Sequence, residues 1–201
     1  MIFPLFAGLF AGIVHVIAGP DHLAAVAPLA ADRSGPRWRA GLSWGIGHTS
    51  GVLLIGLLLL AFRAMLPLDV ISSYSERLVG AALVALGVWA ALRARDVDRK
   101  AGRLHAHPAR GGSFVMGTLH GLAGSSHLFG VLPAIALPAK SAAFLYLAGF
   151  GVGAVAAMSA FAAVVGAVAA RADRRSSRTF RAMLYACSIS AFAVGGFWLI
   201  G

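Results

Sequence analysis

The chain has 201 residues, of which 59% are hydrophobic and 12% are charged, and its formal net charge is +10. A soluble domain averages about 45–50% apolar and about 25% charged residues, so this composition excludes a soluble globular enzyme and a disordered protein. The 25 glycines follow no three-residue period, which excludes collagen. What remains is an all-α integral membrane protein with a single membrane domain. At about 20 apolar residues per span, the chain holds at most six or seven helices.

Six long apolar stretches follow one another along the chain. They lack the alternation of barrel strands, so each is predicted to be a transmembrane helix. Their approximate bounds are 2–29, 40–62, 75–92, 113–137, 141–170 and 179–200. The chain begins without a basic segment, so the first stretch is expected to be a span and not a cleaved signal.

Basic residues are concentrated in three of the five connecting loops, which hold 14 of the 17 lysines and arginines. These are the loops after the first, third and fifth spans. The positive-inside rule places all three in the cytoplasm, so both termini are predicted to lie outside the cytoplasm. The basic charge therefore indicates topology in the cell (inner) membrane. The bilayer is an expected partner, and nucleic acid is not.

An internal repeat divides the chain. The segment from His15 to Pro28 and the segment from His120 to Pro133 share both histidines and an alanine, glycine, leucine, valine and proline at the same spacing. Weaker matches align Gly45-Ile46-Gly47 with Gly149-Phe150-Gly151, and Gly87-Val88-Trp89 with Gly196-Phe197-Trp198. Three spans per unit make the units antiparallel, as in many secondary transporters. We therefore predict two inverted three-helix repeats, at about 1–95 and 112–201, joined by a basic cytoplasmic loop at about 96–111.

The first span carries His15 and His22 on either side of Gly19-Pro20. Seven residues apart on an unbroken helix, the two imidazoles share a face but stand about 10 Å apart. One metal ion cannot reach both with bonds of about 2.0–2.1 Å. Because proline removes a helical hydrogen bond and glycine adds backbone freedom, a break here can bring the two together. The sequence predicts broken helices in the first span and, between His120 and His127, in the fourth.

Asp21 is the only acidic residue in the interior of a predicted span, because the other six acids, including Glu76, lie at or beyond span ends. A carboxylate inside a membrane is costly, so it is a functional candidate by default. Three functional roles stay open at this point, namely binding a cation, orienting a histidine, or carrying a proton. A purely structural role, as the cap of the half-helix that follows the break, is the alternative.

Five histidines lie in the predicted spans, and four of them are related by the repeat: His15, His22, His48, His120 and His127. A lone buried histidine more often bonds a carbonyl, but this number favours a shared metal site. We predict that the two helix breaks meet at the midplane of the membrane, where such transporters bind their substrate. Metal–ligand bonds of about 2 Å then require His15 and His120 to lie within about 15 Å of each other.

The predicted site offers imidazoles, one carboxylate and the supporting hydroxyls of Thr49, Ser125 and Ser126. Cys187 is the only cysteine, which excludes a disulfide or a thiolate cage within one chain. Such nitrogen and oxygen donors suit Ni²⁺, Co²⁺, Zn²⁺ or Fe²⁺, whereas Ca²⁺ and Mg²⁺ prefer all-oxygen cages. No resident cofactor is expected, only a transported ion.

Two other features receive no chemical role. His105 and His107 lie in the basic loop and are interpreted as part of an ordinary solvated loop, with a weak metal-docking site as the alternative. Trp44, Trp89 and Trp198 recur in the spans and are interpreted as packing or interface residues.

The motif formed by His15, Asp21 and His22 resembles the His…Asp-His signature of the nickel/cobalt transporter superfamily, which includes the urease-accessory membrane permeases. The segment Gly47-His48-Thr49-Ser50 resembles the second motif of that family, a Gly-His-Ser-Thr element on the following span. The resemblance covers about residues 8–55, with a weaker echo at 115–135. It implies transition-metal permeation, with the aspartate and the three histidines as ion-binding or translocation residues.

The chain departs from the family pattern in two places. The family signature has four residues between the histidine and Asp-His, whereas this chain has five, including Gly19-Pro20. Family members often carry an Asp-Thr element in the second half, where this chain has Ser125-Ser126-His127. These differences leave the identity of the ion and the direction of its movement open.

The sequence predicts a secondary transporter or permease, not an enzyme, for a divalent transition-metal ion. Ni²⁺ or Co²⁺ is expected first, and Zn²⁺, Fe²⁺ or Mn²⁺ after them. A carrier of an anion or a small sulfur solute is one alternative, because half-helix N-termini attract anions, although Asp21 argues against it. A membrane metalloenzyme is another, but no further acid lies in the spans to serve it. Energy coupling and oligomeric state stay open.

Overall fold

The computed structural model describes residues 2–31, 36, 38–62, 68–97, 112–122, 130, 132–134 and 136–200. Within these ranges the protein is all-helical and contains no strand. The helices of the described chain, numbered in order, are α1 (Phe3–Ala18), α2 (Pro20–Ala31), α3 (Trp38–Phe62), α4 (Leu68–Asp96), α5 (Gly112–Leu122), α6 (Lys140–Arg175) and α7 (Ser177–Ile200).

Four of these helices, α3, α4, α6 and α7, are long and apolar enough to cross a membrane. Helices α1 and α2 pass the same test only together, as a pair bent by 75° that forms either a broken span or a re-entrant loop. Large apolar side chains cover the outer faces, and Phe3 and Ile200 are 82% and 90% exposed. Extensive exposed apolar surface marks contact with lipid or protein. The chain is therefore a multi-pass membrane protein with four or five candidate spans in its described part.

The fourth predicted span is described only at its start. Helix α5 covers Gly112–Leu122, which is the first part of the expected stretch 113–137. The expected break in this span falls on 123–129 and lies outside the described residues. Of the six predicted spans, the described residues therefore show four as long helices, one as a bent helix pair and the start of the fourth as α5.

The predicted break in the first span is present. Helix α1 ends at Ala18, and Gly19 is extended, with φ −90° and ψ 100°, while its N–H donates to the carbonyl of His15. Pro20 begins α2, where its missing N–H costs no helical hydrogen bond. The break places Asp21 in the first turn of α2, where the helix dipole favours a carboxylate.

Glycine permits two very close helix crossings, α1 with α6 and α3 with α5. A Cβ atom on Gly12 of α1 would overlap the carbonyl oxygen of Phe150 on α6. A Cβ atom on Gly117 of α5 would likewise overlap the carbonyl oxygen of Trp44 on α3. Small residues of this kind let membrane helices approach to backbone contact.

The close contacts also give the direction of each helix. The pairs are Gly8 with Tyr146 and Gly12 with Phe150 for α1 and α6, Gly47 with Phe114 and Gly51 with Thr118 for α3 and α5, and Gly41 with Met158 and Gly45 with Val155 for α3 and α6. Residue numbers rise together in the first two crossings and in opposite senses in the third. Helices α1 and α6 therefore run one way, and α3 and α5 run the other way. The two copies of the histidine motif, on α1 and α5, are antiparallel.

The two crossings correspond residue by residue. Gly12 faces the carbonyl oxygen of Phe150 and the amide nitrogen of Ala154. In the same way, Gly117 faces the carbonyl oxygen of Trp44 and the amide nitrogen of His48. The offset between α1 and α5 is 105 residues, as the histidine motifs predict, and the offset between α3 and α6 is 106.

This offset corrects one detail of the repeat. Gly47 contacts the carbonyl of Phe114, and Gly153 contacts that of Leu9, so Gly153 is the structural counterpart of Gly47. The sequence-based match of Gly47 with Gly151 is wrong by two residues. Its cause is the run of alternating glycines in α6, where Gly-x-Gly occurs in two overlapping registers.

Apolar side chains close one end of the helix bundle. The arginine-end cluster consists of Ala31, Ala94, Ala169, Ala172, Phe180 and Leu184. These residues come from the last turn of α2, the ends of α4 and α6 and the first part of α7, and the ends named for α4, α6 and α7 also carry arginines. In the described part of the chain, close apolar packing therefore seals the molecule at its basic end.

Candidate metal centre

Five of the predicted site residues meet where the first span is broken. His15 lies in the last turn of α1, Asp21 and His22 lie in the first turn of α2, His48 lies on α3 and His120 lies on α5. His15 is half-buried and the other four are buried. Burial of a carboxylate and several imidazoles in an apolar bundle is costly unless they bind one another or a ligand.

Asp21 joins the two copies of the motif. Its Oδ1 lies 3.0 Å from Nδ1 of His22, and its Oδ2 lies 2.9 Å from Nε2 of His120. A carboxylate only accepts hydrogen bonds, so each imidazole donates its N–H. The structure therefore shows Asp21 orienting one histidine of each copy, which is one of the roles that the sequence left open.

His22 is the centre of the cluster. Its ring centroid lies 4.7 Å from that of His15, 4.8 Å from that of His48 and 4.9 Å from that of His120. His15 and His120 are consequently less than about 10 Å apart, inside the predicted limit of about 15 Å. The first histidines of both motif copies thus lie in one place.

The donors of the described residues fall into two groups of three that could each hold a metal ion. His15, His22 and His48 form one group, and Asp21, His22 and His120 form the other. Within each group the ligand atoms lie within 4.8 Å of one another. Because metal–ligand bonds of about 2.0–2.1 Å place the ligand atoms of one ion up to about 4.2 Å apart, small side-chain shifts suffice to close either group on an ion.

A partly open cavity of about 540 Å³ reaches the cluster. We call this cavity the vestibule. It is lined by His15, Ala18, Gly19, Pro20, Asp21 and His22 at the helix break and by Ala193, Val194, Phe197 and Trp198 of α7. These α7 residues lie near the end of that helix, whereas its arginines and the arginine-end cluster lie at its start. The site is therefore approached from the side of the bundle remote from the basic helix ends.

Comparison with known proteins identifies the family to which this chain belongs. The chain is 34% identical to the urease accessory protein UreH of a Bacillus species over 169 residues, which cover 77% of this chain and 72% of that protein. The chain belongs to the UreH family. No family model and no solved structure matches it.

The UreH-family chain also resembles two plant proteins. It is 32% identical to the chloroplast proteins FOR GROWTH AND FERTILITY 2 and FOR GROWTH AND FERTILITY 1 of Arabidopsis thaliana, in each case over 94% of its own length. It spans only 54% and 57% of those two proteins. The similarity therefore covers the membrane bundle and about half of each plant protein.

Two aromatic side chains at the centre of this UreH-family protein were missed by the sequence analysis. The indole of Trp44 is fully buried, stacks on His48 at 5.0 Å and lies 5.1 Å from His120. The ring of Phe150 lies 5.3 Å from His15. Trp44 precedes His48 by four residues, so helical spacing alone places both on one face and could have predicted the contact.

The remaining predicted site residues lie elsewhere or are not described. Ser125, Ser126 and His127 fall on 123–129, outside the described residues, as do His105 and His107 of the basic loop. Thr49 lines a groove between α3 and α6 beside Gly151 and Ser159. Its predicted supporting role stays a prediction.

Proposed function

We propose that this protein is a secondary permease for a divalent transition-metal ion, Ni²⁺ or Co²⁺ in the first place. One observation carries the proposal: a buried carboxylate, bonded to two of four clustered imidazoles, lies at a helix break inside an apolar bundle. Ionisable residues inside a membrane mark ion and proton pathways, and imidazole with carboxylate suits these metals. The urease accessory relative and the resemblance to the nickel/cobalt transporter superfamily support the same class.

The cluster supplies what such an ion needs when it leaves water. Imidazole nitrogens and a carboxylate replace water ligands, so the charge of the ion is not left bare among apolar side chains. Asp21 contributes the negative charge, and its bonds to His22 and His120 hold both rings in place. The vestibule gives the ion a route to His15, Asp21 and His22.

We infer further that the whole chain folds as six spans in two inverted units. The antiparallel course of α1 and α5 and the matched glycine crossings support this arrangement. In transporters of this kind the site lies at the interface of the units, and access alternates between the two faces. With the arginine-rich helix ends in the cytoplasm, the vestibule faces the outside.

A transport assay tests the proposal. Purified protein is reconstituted in liposomes that contain a metal-sensitive dye, and Ni²⁺, Co²⁺, Zn²⁺, Fe²⁺ and Mn²⁺ are added separately. We expect the wild type and the control His105→Ala, in the basic loop, to admit Ni²⁺ or Co²⁺. His22→Ala should abolish the signal because His22 belongs to both ligand groups. No signal for any of these ions, in protein shown to be folded, would refute the proposal and favour an anion carrier or a metalloenzyme.

A further inference from the structure

The five donors of the metal centre do not form one set of ligands. In the described chain they divide into two groups that share only His22. We propose that these groups are two successive ion positions: an outer position formed by His15, His22 and His48, and an inner position formed by Asp21, His22 and His120. This inference rests on the proposed transport function and adds to it a hand-over of the ion at His22.

His22 can serve both positions but only one at a time. Its Nδ1 faces Asp21 at 3.0 Å, so this edge of the ring belongs to the inner position. Its Nε2 is buried on the other edge of the ring, and in the proposed arrangement this edge serves the outer position. A neutral imidazole has one nitrogen lone pair for a metal while its other nitrogen carries a proton. An ion in the outer position would bind Nε2 of His22 and leave the Nδ1–H on Asp21. An ion in the inner position would take the place of the protons between Asp21 and the rings of His22 and His120, and each ring would then carry its proton on its other nitrogen. The two positions therefore exclude each other, and the protein holds one ion.

Access orders the two positions. His15, Asp21 and His22 all line the vestibule, but His15 is half-buried, whereas every residue of the inner position is buried. Beyond the inner position, His120 lies against a crevice between α2, α4 and α5, where Leu83, Leu86 and Met116 leave only about 10 Å³. An ion that arrives through the vestibule thus meets the half-buried His15 of the outer position first and, in the described part of the chain, finds the far side of the inner position closed.

The two positions differ in which half of the chain builds them. Helices α1, α2 and α3 supply the outer position, so the first repeat forms it alone. The inner position takes Asp21 and His22 from α2 and His120 from α5, so it bridges both repeats. The structural counterpart of His48 in α6 is Ala154, which has no ligand atom. Only an ion in the inner position can therefore hold the two halves together.

The test compares two variants that each remove one position. His48→Ala leaves the inner position, and His120→Ala leaves the outer one, while His105→Ala is the matched control. X-ray absorption of the Co²⁺-loaded proteins reports the ligands. We expect one bound Co²⁺ in each variant, with three imidazoles in His120→Ala and two imidazoles plus carboxylate oxygen in His48→Ala. Both variants should lose transport at least tenfold, because a hand-over needs both positions, and the control should transport like the wild type.

Two results would overturn the two positions while the transport function stands. One is that both variants lose Co²⁺ binding although the wild type transports, which indicates a single joint site. The other is that the two variants show the same ligand set. If either alanine variant fails to fold, as judged by circular dichroism and gel filtration, His48→Gln and His120→Gln preserve more of the side-chain volume and give the same comparison. A wild type that neither binds nor transports a metal would instead refute the proposed function itself.

Discussion

The residue on which the candidate metal centre depends most directly is Asp21. It carries the one negative charge in the cluster, and each of its oxygens accepts a hydrogen bond from a different copy of the histidine motif. Its position follows from the sequence, because Pro20 opens α2 and places the next residue in the first turn. One side chain thus aligns His22 and His120 and, in the proposed function, would also compensate the charge of the ion.

The substitution Asp21→Asn tests the charge and the hydrogen bonds of this side chain without changing its shape. Asparagine keeps the shape but removes the charge, and its NH₂ group cannot accept a hydrogen bond, so one of the two histidines loses its acceptor. We expect the affinity for Ni²⁺ to fall about 10–100-fold, the range known for partners that orient metal-binding histidines. Titration calorimetry of the purified protein measures it, with Asp96→Asn at the end of α4 as the control. An unchanged affinity in Asp21→Asn would show that the carboxylate does not serve the ion.

At the residue scale, the polar members of the site are predictable and its apolar walls are not. Asp21 and the histidines are conspicuous because ionisable groups are rare in apolar spans. Trp44 and Phe150 pack against the same imidazoles, but an aromatic residue in a span is equally compatible with a lipid-facing or core position. Only the fold distinguishes these environments.

At the scale of the helices, backbone contact at glycines determines where the histidines lie. His48 is carried by α3 and His120 by α5, and these helices touch directly, because Gly117 lies against Trp44 and Gly121 lies against His48. A Cβ atom on Gly121 would overlap the carbonyl oxygen of His48. The spacing of the imidazoles of His48 and His120 therefore requires a residue without a Cβ atom at position 121.

Gly121→Ala should accordingly weaken both the fold and the site. Backbone atoms cannot rotate away from a new methyl group, so the helices must separate, and overpacking of this kind costs about 1–3 kcal/mol. We expect a lower thermal unfolding temperature together with weaker Co²⁺ binding.

Gly196→Ala on α7 is the matched control, since nothing lies within 4 Å of the added Cβ atom. There the better helix propensity of alanine should leave stability unchanged or raise it by up to about 1 kcal/mol. Equal effects of the two substitutions would show that the α3–α5 crossing does not depend on Gly121. Thermal unfolding in one detergent, followed by circular dichroism, compares them directly.

The helices also show how far a sequence repeat can be trusted. The break at Gly19-Pro20 is predictable because both residues oppose a continuous helix. The offset of α5 from α1 is predictable because two histidines fix it. The offset of α6 from α3 in the repeat is not predictable, because Gly149, Gly151 and Gly153 can be matched to Gly45 and Gly47 equally well in two ways. Only the contacts of Gly47 and Gly153 with the neighbouring helices select one of them.

At the scale of the whole molecule, the two ends of the bundle differ. The vestibule leads to the metal centre from one side, and the arginine-end cluster packs Phe180 and Leu184 against α2, α4 and α6 at the other. Loop charge predicts which end is cytoplasmic, since it depends only on counting arginines and lysines. It does not predict which end is open, because that depends on how the helices pack. In the described part of the chain the cavity opens on one side, which is the arrangement that the proposed alternating access would require of each state.

This asymmetry can be tested with single cysteines in a Cys187→Ser background. Ala193 is exposed in the vestibule, whereas Ala191, on the same helix, and Ala94, in the arginine-end cluster, are both fully buried. Intact cells are treated with a membrane-impermeant, positively charged thiol reagent. We expect Ala193→Cys to react, and to react more slowly when Ni²⁺ is present, because an ion at His15 adds positive charge to the vestibule. Ala191→Cys and Ala94→Cys should stay unmodified. Reaction at Ala94→Cys without reaction at Ala193→Cys would mean that the arginine-rich end is open and faces the outside, which contradicts the predicted topology and reverses the order in which an ion meets the two positions.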